Sequence, residues 1–227
     1  MALILNIDTA LSEASIAICD HGNMLASSAN KEQRDHASWI HQAIKQLLQE
    51  VGLEPRNLDA VAVTIGPGSY TGLRVGLATA KGLCYSLNIP LITENTLRLM
   101  AFHAIQHYSA TGDDSIGLFV PMIDARRMEV FTAVYNSALD ELLPPQPLVL
   151  DAGSLMEFRN DGTLFFGSGA EKFRNHAADS GARFEDLNAS AQALGRLSYD
   201  KYVRKQFSDI AYSEPLYLKE FYSPEKK

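Results

Sequence analysis

Two aspartates, one serine-bearing glycine turn and one histidine pair are the residues of this 227-residue chain whose types and spacing suit chemistry. Asp8 and Asp124 each close an apolar run, LILNID and LFVPMID. From a strand end a carboxylate can hold magnesium or orient a phosphate, although the same position also seeds an ordinary Asx turn. Ser69 sits in GPGSYTG, a turn whose glycines permit close backbone approach and whose following N–H groups could face an anion. His103 and His107, four apart on a helical pattern, could share one metal ion, or simply form a solvated polar face. No third ligand stands at a recognisable spacing from them.

Several familiar sites are excluded by spacing. No lysine followed by serine or threonine closes the glycine turn, so it is not a Walker loop, and Gly66, Gly68 and Gly72 read GxGxxxG rather than the dinucleotide GxGxxG. Glu94, at the end of the next short strand, could imitate the ribose contact of a nicotinamide dinucleotide site. No GxSxG elbow occurs and neither cysteine sits directly beside a histidine in sequence, which leaves Ser69 better explained as a helix cap. His36 and His41, five apart, point away from each other. On the residues alone, a nucleotide-dependent transferase or hydrolase acting through Asp8, Ser69 and Asp124 stands as one reading.

The elements that must position these groups are legible from hydrophobic pattern. Leu3 to Ile7 predicts a buried strand, followed by a hairpin through Ala14 to Ile18 and Met24 to Ser28. His36 to Val51 is amphipathic, with Ile40, Ile44, Leu47, Leu48 and Val51 on one face, Trp39 beside it and Asp35 as the expected N-cap. Val61 to Ile65 is a β-branched run without alternation, as in a strand covered on both sides. The helix that follows, beginning near Gly72, carries Gly72, Gly76, Ala80 and Cys84 every four residues, a smooth stripe that packs either on the chain's own sheet or on another helix. A strand at Pro90 to Thr93, a helix from Thr96 to Tyr108, strands at Gly117 to Ile123 and Glu129 to Tyr135, and a turn-rich passage around Pro144, Pro145 and Pro147 complete the central part.

The totals set limits. A net charge of -7 with no basic run longer than Arg126-Arg127 argues against autonomous nucleic-acid binding. Two cysteines support neither a disulfide framework nor a CxxC knuckle, and no export or membrane-spanning signal is found, so a cytoplasmic protein is expected.

The chain also echoes itself. LILNIDTALSEASIAICDHG and LFVPMIDARRMEVFTAVYN share strand, terminal aspartate, turn and second strand, and GTLFFGSGAEKF repeats the strand, double-glycine turn and helix of the middle. A spacing of about 100 residues indicates a duplicated α/β domain rather than a solenoid.

IDTALSEASIAI, GPGSYTGLRVGLATAKGL, PLITENTLRLMA, MIDARRMEVFTAVY and PLYL, in that order, resemble the TsaB (YeaZ) family, subunits of the bacterial machinery that makes threonylcarbamoyladenosine on tRNA. The resemblance covers nearly the whole chain. It implies a duplicated actin-like (ASKHA) fold, with two lobes that each hold a mixed sheet flanked by helices, at 1–110 and 111–213, and a C-terminal extended segment and tail at 214–227. It further implies a non-catalytic scaffold that docks the paralogous catalytic subunit TsaD directly and reaches the ATPase TsaE and tRNA only through the complex. The chain by itself would form a homodimer. The helices expected at the interface carry Trp39, Ile40, Ile44, Gly72, Leu73, Gly76, Leu77 and Ala80. In TsaD the segment matching Glu94 to Met100 carries two metal-binding histidines, where this chain has Thr96 and Met100; no metal and no resident cofactor are therefore expected. ATP or ADP would act within the complex, with at most a weak nucleotide site here at Asp8, Gly66, Gly68 and Ser69.

Overall fold

A computed structural model describes residues 2–32 and 36–219. Asp35, expected to cap the first helix, and the charged end beyond residue 219 lie outside the described residues.

Strands β1 (Leu3–Asp8), β2 (Ala14–Asp20), β3 (Asn23–Asn30), β4 (Ala60–Gly66) and β5 (Leu91–Asn95) form a first sheet in the order β3-β2-β1-β4-β5. Strands β6 (Leu118–Asp124), β7 (Glu129–Asn136), β8 (Glu141–Val149), β9 (Thr163–Phe166) and β10 (Arg183–Glu185) form a second in the order β10-β9-β6-β7-β8. Read from the opposite edge, the second sheet repeats the first strand for strand. In each, the leading three strands pair antiparallel and the next two join in parallel. The duplication expected from the echo is therefore present in the topology.

Helix α1 (His36–Glu50) and helix α2 (Tyr70–Leu87) cover one face of the first sheet, and Leu3, Leu5 and Ile7 of β1 point into the core they share with Ile40, Ile44, Leu47 and Leu77. Intervening positions face the other way, as a period of two demands. Ile4 packs with Leu194 and Leu197 of α5 (Ala191–Val203), and the buried Asn6 amide oxygen accepts the Ser198 hydroxyl at 2.6 Å. Helix α3 (Thr96–Thr111) is started by Asn95, which accepts from Leu97 N and Arg98 N, and is stopped by Gly112 at φ 71. Its Leu97, Met100 and Ala104 pack against Phe119, Leu164 and Phe166 of the second sheet. The short α4 (Ala170–Arg174) closes that sheet's far face through Phe173. In each half the helix after the fifth strand thus crosses to the other half's sheet.

One sequence expectation needs correction. The passage with Pro144, Pro145 and Pro147 is strand β8, not turns. It lies at the edge of its sheet, where a residue without an N–H breaks no ladder on the open side, and its pairing with β7 shifts register twice.

Candidate functional site between the sheets

The loop after β1, the turn at 67–71, the end of β6 at Asp124 and the segment 216–219 line a cleft of about 940 Å³. Ser12, Ser69, Thr71, Asp124, Arg126 and Tyr217 are among its walls; Asp8 is not. Asp8 is 1% exposed and its Oδ1 accepts from Thr64 Oγ1 at 2.8 Å and from Ala10 N at 3.1 Å. Burial pushes its carboxyl above the ordinary range, opposed by the Thr64 hydroxyl and the Ala10 N–H. It therefore works as a lock beneath the cleft floor. The Thr64 partner is a side chain that sequence pattern alone does not connect to Asp8, because the parallel pairing of β1 and β4 is what brings them together.

Asp124 is the half-exposed counterpart, and it too is committed. Lys172 Nζ, from α4, donates to its Oδ1, and Arg126 N donates at 2.6 Å. Partial burial pushes the carboxyl up, but the Lys172 and Arg126 contacts outweigh it and hold the group below its ordinary value. Among the described residues no cluster of three or more histidine, cysteine, aspartate or glutamate side chains is arranged to hold a metal ion. His103 is half-buried and His107 exposed, with no third donor beside them. Thr96 and Met100, at the positions of the paralogue's histidines, are buried, Met100 within the core around α3.

The glycine turn is closed by its own chain. Ser69 caps α2 by accepting from Gly72 N at 3.3 Å, and Ser69 N donates to Ala10 O at 2.7 Å. A Cβ on Gly68 would sit 2.2 Å from Ala10 O, so the loop after β1 packs directly against the turn. At Gly66, φ +123, an added Cβ would lie 2.7 Å from Leu216 O. Leu216 N donates to Ile65 O at 2.7 Å, and this begins a strap along the cleft. Tyr217 then stacks on Tyr70 with ring centroids 5.2 Å apart and accepts from Arg74 Nε at 2.9 Å, and Lys219 pairs with Glu129 of β7.

The small-residue stripe of α2 is corrected in the same way. A Cβ on Gly72 would lie 2.0 Å from Thr9 O and one on Gly76 2.2 Å from Thr9 Oγ1, while Thr9 Oγ1 donates to Gly72 O at 2.8 Å. Ala80 and Cys84 are buried against the first sheet. Ile40, Ile44, Leu73 and Leu77 are likewise buried, and Trp39 is half-buried against the same core. These positions pack the chain onto itself, and among them only Trp39 keeps part of its side chain in solvent. The opposite face of α2 is open: no atom lies within 4 Å of a Cβ placed on Gly82, Ala78 is exposed, and Tyr85 is 84% exposed.

Glu94 is not a ribose ligand. It is 3% exposed and paired with Arg98 Nη1 at 3.0 Å and Lys201 Nζ at 3.1 Å, so it ties β5 to α3 and α5. Among the described residues no helix is long and apolar enough to cross a membrane.

A family model described as "TsaD: tRNA N6-adenosine threonylcarbamoyltransferase" matches residues 23–213. The tRNA threonylcarbamoyladenosine biosynthesis protein TsaB of Bacillus subtilis (strain 168) is 32% identical over 168 residues, which is 72% of this chain and 70% of that protein. The protein of the same name from Escherichia coli (strain K12) is 26% identical over 230 residues, 95% of this chain and 94% of that one. Among solved structures, YeaZ from Pseudomonas aeruginosa superposes with a TM-score of 0.77 at 23% identity, over 96% of this chain and 100% of that chain. The activator of 2-hydroxyisocaproyl-CoA dehydratase from Clostridium difficile, with bound ADPNP, does so with a TM-score of 0.51 at 10% identity, over 90% and 97%. These likenesses in shape establish an actin-like fold.

Proposed function

The chain belongs to the TsaB (YeaZ) family, and on that premise we propose that it is a non-catalytic subunit in the synthesis of threonylcarbamoyladenosine on tRNA, binding the catalytic subunit TsaD. One observation carries the non-catalytic part. The aspartates and the turn that the sequence offers for chemistry are already bound within the chain: Asp8, beneath the cleft, to Thr64, Asp124 to Lys172, and Ser69 to Gly72 N and Ala10 O. Thr96 and Met100, buried in place of imidazoles, support the same reading, since neither side chain replaces a histidine on a divalent ion.

The docking face is the outer side of α2 with the neighbouring exposed side of α1. Gly82 supports this, because an interior helical glycine costs about 1 kcal/mol against alanine and nothing among the described residues uses its missing side chain. Its place between Ala78 and Tyr85 gives a flat approach with an aromatic anchor. The same face would pair two copies of the isolated chain. TsaE, ATP or ADP, and tRNA come to it through the assembly.

Reconstituting threonylcarbamoyl transfer from TsaD and its other partners tests the reading directly. Activity should depend on this chain, and Gly82→Trp should abolish TsaD binding while the monomer stays folded. Undiminished transfer without the chain would end the proposal. The competing reading, an enzyme acting alone through Asp8, Ser69 and Asp124, requires saturable nucleotide binding to the isolated chain; calorimetry is expected to find none.

A further inference from the structure

We infer that a second, smaller pocket, on the face of the first sheet opposite α1 and α2, binds a small phosphate or phosphomonoester anion. The pocket holds about 240 Å³ and lies where the β2–β3 turn, α3 and α5 meet. Its polar lining is Asn23, His103, Gln106, Ser190, Gln192 and Arg196. It shares no residue with the cleft, and the inference does not rest on the subunit role proposed above.

The walls are held rigidly. Gly22, at φ +78, presses the β2–β3 turn onto α5: a Cβ there would lie 3.3 Å from Tyr199 Cβ and 3.4 Å from Arg196 Cα. Gly195 lets α5 approach Cys19 so closely that a Cβ would be 2.3 Å from its sulfur. His21 packs edge-on against Tyr199 at 5.4 Å. A site built from close backbone contacts on three elements loses little entropy when a ligand arrives.

Its chemistry is one-sided. Arg196 Nη1 donates to Gln106 Oε1, which orients the guanidinium without neutralising it. Among the described residues Arg196 makes no ion pair with a carboxylate, a state it shares with Arg74, Arg126, Arg127, Arg159 and Arg204. His103 is half-buried without a hydrogen-bond partner, and the Ser190 hydroxyl, at the N-cap of α5, makes no cap bond. No aspartate or glutamate lines the pocket, although the chain as a whole carries a charge of -7. Burial and the adjacent His107 lower the His103 pKa, so the ring is ready to offer a neutral N–H beside the Arg196 charge. A guanidinium fork flanked by N–H and O–H donors matches a tetrahedral oxyanion, and the volume suits one phosphate with a small substituent.

The test is a titration of the ¹⁵N-labelled full chain with inorganic phosphate, and separately with glycerol 3-phosphate, at ionic strength matched with potassium chloride. Saturable shifts should appear at the amides of Ser190 to Ala193 and at the Arg196 side chain, and should be absent with chloride alone. Arg196→Ala and His103→Gln should each weaken binding about tenfold or more, and Arg196→Lys less. Tighter binding of glycerol 3-phosphate than of phosphate would identify the monoester as the ligand, and the reverse would identify the free anion. Shifts that never saturate with either anion, or saturable binding unchanged in a folded Arg196→Ala variant, would overturn the assignment.

Discussion

Gly76 of α2 and Thr9 of the loop after β1 are so close that a methyl group on the glycine would fall 2.2 Å from the threonine hydroxyl oxygen. Gly82, six residues along the same helix, has nothing near it. The two glycines therefore answer to different neighbours, one inside the chain and one outside.

Opposite stability effects should follow. Gly76→Ala should destabilise the monomer by about 1–3 kcal/mol through overpacking, while Gly82→Ala should stabilise it by up to about 1 kcal/mol through helix propensity. Urea melts of the two variants compare them directly. A stabilised Gly76→Ala would refute the packing described for the stripe.

Asp8→Asn should leave the fold intact and raise stability near neutral pH by about 1 kcal/mol. The sign follows from burial, which raises the folded carboxyl above its unfolded value. The folded state then binds the proton more strongly, so this group's contribution falls as pH rises from the unfolded value through the folded one. In the variant that part of the pH dependence should vanish from denaturant melts collected across the acid range.

Lys201→Ala should cost about 1–3 kcal/mol, because it strips one of two cations from the buried Glu94 and removes the donor to Thr93 O at 2.7 Å. Lys45→Ala, on the exposed side of α1, should be near neutral, and urea melts of both variants measure the difference.

Cys19 and Cys84 should resist iodoacetamide at pH 8 until the chain unfolds. Burial pushes both thiols up to about 11, which leaves little thiolate, and neither is open to reagent. Mass spectrometry of the alkylated native protein measures this. Rapid labelling of either residue without denaturant would contradict its placement.

The repeated strand, aspartate and glycine-turn pattern was enough to expect two matching sheets, because hydrophobic period and turn residues are local signals. The cap at Ser69 was legible for the same reason, whereas the one at Asn95 emerged only with the structure. Long-range partners were not: nothing near Asp8 announces Thr64, and nothing near Asp124 announces Lys172, 48 residues away. The Gly72/Gly76 stripe shows why. A run of small residues states that something comes close but not what, and here the visitor is the loop after β1. Prolines misled for a related reason, since whether a strand lies at an edge is a property of the sheet rather than of its own residues.

The crossing of α3 and α5 reaches beyond the cleft. The hydrophobic interior of each half is finished by a helix encoded in the other, with Met100 under the second sheet and Leu194 under the first. A cut in the loop at Gly112 should therefore yield two fragments that fold only by finding each other, and the intact chain should melt in one cooperative step. An actin-like body clasped in this manner behaves less as a hinge than as a single strut.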